Sequence, residues 1–468
     1  MNETSWSTEL LLAVDRGRPR SLAAQIEDRV RRAIRDGSLK PRTQMPSTRD
    51  LATQLSVSRG VVVNAYAQLA AGGYLILRQG ARPRISDAAA LGGAEPGVAP
   101  TAQGVRYDFR TGVPDVSRFP RSTWLRSVRT ALAQMSSSDL GYGDHRGVER
   151  LRSALAAYLG RVRGVVAEPE RIVVTNGYLQ GQGIVCRAIA AAGAKRIAFE
   201  NPSDMEPRIS AARAGLEVVP VRVDAAGLRV EELERADADA VVVTSAHQFP
   251  TGVVLAAERR AALMEWLRRR DAIAIEDDYD AEYRYDRSPV GALQGLDPDR
   301  VVYAGSASKT LAPALRIGWL VVPIGLLEAV TEEKLLADRG TARVDQYALG
   351  EFLDRGELDR HLRRMRALYR RRRDALVEAL TEAIPEATVE GIAAGLHATV
   401  RLPRDYDETA ILQEARRRRI ELRTLGQFVF PDGHAPPSLL LGYAQSSEPI
   451  IRSGVMELAD AIRASRRP

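Results

Sequence analysis

A single cysteine, Cys186, leaves no possibility of a disulfide within the chain, and its five histidines fall without metal-ligand spacing. No apolar run approaches the length of a membrane span, and residues 1–12 lack the basic start and apolar stretch of a secretory leader. A soluble, cytoplasmic protein without membrane contact or a metal site is the expectation. Lysine is also scarce: of 67 basic residues only Lys40, Lys195, Lys309 and Lys334 are lysines. Where positive charge alone is wanted this sequence uses arginine, whose guanidinium stays protonated and forms no imine. A lysine kept among so many arginines is therefore a candidate for chemistry that needs an amine.

What the chain does have is unevenly spread. Residues 1–86 carry 14 basic and 7 acidic residues, an excess of seven, and the whole chain's net charge is +7. The remaining residues thus balance to zero. A compact basic head on a neutral body is the footprint of phosphate-backbone binding. With 468 residues, two to four domains are expected.

The head reads as short helices. Leu22, Ile26, Val30 and Ile34 recur every fourth residue, with arginines between them, and predict an amphipathic helix ending at Gly37. Ser47 or Thr48 caps a second helix through Leu55, and Ser58 caps a third from Arg59 to about Ala71, stopped by Gly72-Gly73. Two short helices across a tight turn match a helix-turn-helix whose recognition helix offers its first residues to the major groove. Tyr74–Leu77 and Arg84–Ser86 read as a hairpin wing, with Arg78, Arg82 and Arg84 able to reach the DNA backbone. Arg49 and Arg59 are the leading DNA contacts, followed by Ser47, Thr48, Ser58, Asn64 and Arg78. Residues 39–52, Val57-Ser58-Arg59 and Ala65-Tyr-Ala-Gln-Leu69 resemble the winged helix-turn-helix of the GntR superfamily. At the wing tip, where that family usually has a small Gly-Ser/Thr-Gly run, this chain reads Gly80-Ala-Arg-Pro-Arg84.

Residues 87–104 are dominated by Gly, Pro and Ala without periodicity and read as a flexible linker. From 105 to 468, apolar strands alternate with helical patterns. Strands are expected at 171–175, 196–200, 218–221, 240–244, 272–276 and 301–303, giving an α/β body with a mostly parallel sheet and a ligand at its carboxyl edge.

Candidate residues follow three of those strands. Asn176-Gly-Tyr178-Leu179 opens a helix whose free amides can hold phosphate. Asp277 and Tyr279 follow the fifth strand. Ser306, Ser308 and Lys309 follow the sixth, with Arg316 as a fork for a phosphate dianion. That grouping suits a Schiff base between Lys309 and pyridoxal 5′-phosphate (PLP), with Asp277 at the pyridinium nitrogen and Tyr279 at the phenolic oxygen.

The body words Phe109–Asp115, Gly141-Tyr-Gly-Asp-His-Arg-Gly147, His247-Gln-Phe-Pro-Thr-Gly252, Glu276–Asp280 and Ser308–Gly318 resemble the fold-type I aminotransferases. The chain as a whole resembles the MocR-type (GabR-like) GntR regulators. The resemblance implies PLP on Lys309, phosphate contacts from Ser306, Ser308, Arg316 and the Tyr178 and Leu179 amides, and Tyr142 reaching the neighbouring subunit's phosphate. It also implies a head-to-tail homodimer. Departures bear on the chemistry. Phe249 stands where such enzymes have asparagine, Asp204 where GabR-like proteins have an aromatic, and Leu439-Leu-Leu441 where an arginine usually binds a substrate carboxylate. Either an effector's acid group is held elsewhere, with Arg423 or Arg208 as candidates, or the effector is not an α-amino acid. The expected function is a transcriptional regulator that binds operator DNA and senses PLP or an amine or amino-acid effector. The alternative is a fold-type I aminotransferase with a basic extension.

Overall fold

The computed structural model describes residues 21–35, 38–78, 81–87, 104–285, 290–391, 394–433 and 435–465. It divides into two units, Met1–Ala102 and Gln103–Pro468. The linker residues 88–103, Gly37 and Gly80 lie outside the described residues.

The first unit is three helices and a small hairpin: α1 (Leu22–Arg35), α2 (Thr48–Gln54), α3 (Arg59–Ala71), β1 (Leu75–Ile76) and β2 (Arg84–Ile85). Its core joins Ile26 and Val30 of α1 to Leu51 of α2 and Val62 and Leu69 of α3, all fully buried. Burying each such side chain contributes about 1.5–3 kcal/mol. Ser47 is the cap of α2: its hydroxyl accepts from the Asp50 amide at 3.1 Å, and Asp50 itself complements the helix dipole. Ser58 occupies the cap position of α3, but its hydroxyl makes no capping bond, so its expected capping role is not seen. The wing pairs Leu75 with Ile85, antiparallel, and Ile85 packs into the core.

The second unit starts with β3 (Tyr107–Asp108), α4 (Arg121–Gln134) and α5 (Glu149–Arg163). Alternating elements follow: β4 (Ile172–Thr175), α6 (Tyr178–Ala191), β5 (Arg196–Asn201), α7 (Met205–Arg213), β6 (Glu217–Asp224), β7 (Gly227–Leu228), α8 (Glu231–Ala236) and β8 (Ala240–Val243). Then come α9 (Ala257–Arg270), β9 (Ile273–Asp277), β10 (Val301–Ser306), α10 (Ala307–Thr310), β11 (Gly318–Val321) and α11 (Ile324–Asp338). They form an eight-stranded sheet ordered β4-β11-β10-β9-β8-β5-β6-β7. The pairs β6-β5-β8-β9-β10 are parallel, and β11 is antiparallel to both its neighbours. β4, β8, β10 and β11 are buried on both faces, as their continuous apolar runs require.

β11 was not among the expected strands. It follows the phosphate-loop residues directly, without the helical crossover that marks parallel strands, and inserts between the first and last of them. Its register assembles the site: Gly318 lies opposite both Ser306 and Thr175, while Ala304 lies opposite Asp277. Three strand ends thereby meet at one edge.

The chain closes through α12 (Arg343–Asp354), the long α13 (Glu357–Ala383) and a smaller part. That part holds β12 (Thr388–Glu390), β13 (His397–Arg401), α14 (Glu408–Arg417), β14 (Ile420–Glu421), β15 (Arg423–Thr424), β16 (Ser438–Gly442) and α15 (Glu448–Ala464). Its antiparallel sheet runs β12-β13-β16-β15. Among the described residues no helix is long and apolar enough to cross a membrane.

Candidate cofactor cavity and nucleic-acid face

A cavity of about 410 Å³ opens at the carboxyl edge of the large sheet. Its lining includes Lys309 and seven of the eight residues expected around a cofactor: Tyr178, Leu179, Asp277, Tyr279, Ser306, Ser308 and Arg316. Tyr142 is not among the lining residues. Its ring is 72% exposed, with the Arg339 guanidinium 5.0 Å from its centroid.

Lys309 sits in the short helix α10, where its ammonium donates to the Gly112 carbonyl at 2.5 Å. Burial lowers its pKa, while Asp277, Asp280 and Asp204 pull the other way. Gly112 has φ +74°, and a Cβ there would lie 3.2 Å from the lysine nitrogen, so a glycine suits this close approach. In the sequence, Gly112 stands out only as part of the Phe109–Asp115 stretch that carries the family resemblance. The amine contact spans 197 residues, which no local pattern reveals.

Asp277 ends β9. Burial raises its carboxyl well above the usual range, the neighbouring Asp278 adds to that, and Lys309 opposes it. A protonated ring nitrogen set against this carboxyl would favour its ionised form. Tyr279 Oη lies 2.9 Å from His247 Nδ1, and that nitrogen lies 3.0 Å from Asp280 Oδ2. His247 therefore orients the tyrosine. In the sequence it stands within His-Gln-Phe-Pro-Thr-Gly (247–252), and its contact with Tyr279 follows only from the fold.

The anion end is built from backbone. Gly177 (φ +92°) stands at the cap of α6 without a side-chain capping bond, leaving the first amides of that helix to a ligand. Arg316 holds the left-handed φ of +50° and donates to the Asn176 carbonyl at 2.5 Å. A Cβ on Gly318 would lie 2.8 Å from Gly177 Cα, so a glycine lets β11 pass behind this turn. A phosphate dianion here would meet amide donors, two hydroxyls and one guanidinium.

The outer wall carries the departures. Phe249 and Phe428 line the cavity and meet edge-to-face at 5.1 Å, and the fully buried Leu440 packs with them. Arg423 lines the cavity. Arg208 instead donates to the Asp204 carbonyl and lies 4.3 Å over the Phe430 ring. Asp204 caps α7, and burial together with Glu206 pushes its carboxyl up to about 6. Glu200, buried and accepting from the Thr244 amide and hydroxyl, is pushed by burial up to about 7.

In the first unit, α3 buries Val62, Ala65, Tyr66 and Leu69 and leaves Arg59, Val63 and Asn64 exposed. Arg49, Ser58 and Arg78 are exposed as well, Ser47 and Thr48 partly so. The Tyr66 hydroxyl donates to the Pro46 carbonyl at 3.0 Å, which ties α3 to the start of α2.

The chain matches the family described as bacterial regulatory proteins, gntR family, over residues 22–85, and the family aminotransferase class I and II over residues 113–430. It is 32% identical over 458 residues to the HTH-type pyridoxine biosynthesis transcriptional regulator PdxR of Corynebacterium glutamicum, covering 97% of this chain and 99% of that one. It is 33% identical over 482 residues to the probable rhizopine catabolism regulatory protein MocR of Rhizobium meliloti, covering 97% and 96%. The body superimposes on the multiple substrate aminotransferase of Thermococcus profundus with a TM-score of 0.71 at 25% identity, covering 78% of this chain and 93% of that one.

Proposed function

This chain belongs to the MocR/PdxR-type GntR transcriptional regulators, in which a winged helix-turn-helix is joined to an aminotransferase class I and II body, and we propose that it binds operator DNA under the control of PLP held in the body's cavity. The observation that carries the reading is the convergence of a buried amine, a buried carboxyl and a cradle suited to phosphate around one cavity. When bound, PLP supplies an electrophilic carbonyl carbon conjugated to an electron-withdrawing ring.

The chain's own residues prepare for that group. Lys309, with its pKa lowered by burial, offers an amine that loses its proton readily. The Gly112 carbonyl orients that amine. Asp277 holds a proton on the ring nitrogen, and Tyr279, set by His247, donates to the phenolic oxygen. Ser306, Ser308, Arg316 and the Tyr178 and Leu179 amides bind the phosphate. Tyr142, exposed on one subunit, reaches the phosphate of the other in a head-to-tail homodimer. Arg49, Arg59 and Asn64 meet DNA, supported by Ser47, Thr48, Ser58 and Arg78.

The effector is PLP itself or an amine that reacts with it, and the protein works in the cytoplasm. One relative is named for regulating pyridoxine biosynthesis, which suits PLP as the signal. An apolar wall of Phe249 and Phe428, backed by Leu440, pairs no carboxylate, so an acidic effector falls to Arg423. The same wall favours sensing over turnover of α-amino acids. Whatever the effector, it must bind two arrangements of the body unequally to change DNA affinity. The test is absorbance: the wild-type chain given PLP develops the visible band of a lysine-bound chromophore and Lys309→Ala does not. A colourless wild type saturated with PLP refutes the proposal.

A further inference from the structure

Among the described residues the most deeply buried lysine is Lys334, on α11, with its side chain 0% exposed. Its ammonium donates to both oxygens of Asp338 one turn later, at 2.6 and 2.5 Å, and to Thr341 Oγ1 at 2.9 Å. A buried ion pair costs desolvation that apolar side chains of equal volume would avoid, so stability alone does not explain it.

The other partners of Asp338 point to its role. Its carboxylate also accepts from Asn176 Nδ2 at 2.9 Å, Gln180 Nε2 at 2.8 Å and the Gly340 amide at 2.8 Å. Gln180 in turn accepts from the Asn176 backbone amide at 2.7 Å. Asn176 is thus gripped by its side chain and its amide, while its carbonyl accepts from Arg316. Asn176 and Gly177 are the turn that leads into α6. Lys334, Asp338, Asn176 and Gln180 are all absent from the cavity lining, so they act through the groups in front of them.

We propose that Asp338, neutralised by Lys334, is the positioning residue of the phosphate subsite: it locks the Asn176–Gly177 turn from behind and so aims Arg316 and the first amides of α6 at a phosphate dianion. The lysine completes the device. A bare carboxylate behind an anion site would repel the ligand, and Lys334 cancels that charge. The bonds to Lys334 and Gln180 keep the Asp338 carboxyl ionised in spite of burial.

The inference rests on the PLP reading above, and its test separates the two. The full-length protein, freed of PLP, is titrated with PLP and with pyridoxal, which lacks the phosphate. In Asp338→Asn, PLP affinity falls about tenfold or more, because bonds to a charged acceptor are lost, and pyridoxal affinity is unchanged. Asn176→Ala, which removes one arm and leaves the ion pair, shows a smaller loss with the same selectivity and serves if the first variant does not fold. Inorganic phosphate, used as a competitor, protects the wild type more than either variant. Equal losses for PLP and pyridoxal, or no loss, overturn the positioning role while leaving the PLP reading standing. A wild type that binds neither compound overturns both.

Discussion

Gly318→Ala probes how closely the site depends on a backbone crossing. The added methyl would sit 2.8 Å from Gly177 Cα, 2.9 Å from Gly177 C and 3.0 Å from Thr175 Oγ1. Two of those atoms are backbone, and β11 is held between β4 and β10 by antiparallel pairing, so neither side swings away as a flexible side chain would. Reaching ordinary contact needs a shift of several tenths of an ångström, and overpacking of this kind costs about 1–3 kcal/mol. The strain falls on the turn that Arg316 and the α6 amides depend on. If it is relieved by moving that turn, PLP affinity drops by about 5- to 150-fold, and the melting temperature of the unliganded chain falls by a few degrees. Gly325→Ala is the control, because a Cβ there meets nothing within 4 Å and lies at the start of α11. It is expected to be neutral or slightly stabilising. The assay is a PLP absorbance titration with a thermal melt of each variant. A Gly318→Ala protein that binds PLP like the wild type and melts no lower would refute the crossing argument.

Two further outcomes follow from charge. Glu200 has a folded pKa of about 7 against an ordinary 4.5, so the folded state holds the extra proton between those values. Its contribution to stability is therefore present below the ordinary pKa and is lost as pH rises through about 7. Glu200→Gln should remove that loss, and melts of both proteins should diverge in the variant's favour from pH 4.5 upward; a constant gap would contradict it. In the DNA-binding unit, Arg59→Ala should weaken binding to operator DNA selected with the wild type and reduce the salt dependence by about one phosphate's worth. The PLP band should stay intact, and an unchanged salt slope would remove Arg59 from the contact face.

Much of this architecture was readable because its signals are local. The four-residue period of Leu22 to Ile34, Ser47 before Asp50, and Gly72 after Ala71 mark helix ends by chemistry within one turn. Continuous apolar runs before Asn176, Asp277 and Ser306 placed the candidate groups at strand ends. The parts not read are products of tertiary contact. β11 lacked a crossover helix, the Gly112 carbonyl reaches Lys309 across 197 residues, and His247 acts only once Tyr279 is folded beside it. Lys334 is a different case. Asp338 stood four residues on, the spacing of a helical ion pair, but such pairs are usually solvated. Only burial gives this one its meaning.

In the proposed function, one chain ties DNA affinity to what Lys309 holds. The decisive measurement is binding to operator DNA selected with the wild type, with and without PLP, for the wild type and for Lys309→Ala. PLP is expected to shift the wild-type affinity and to leave the variant's unchanged. Identical affinities with and without PLP in the wild type, or an equal shift in both proteins, would contradict it.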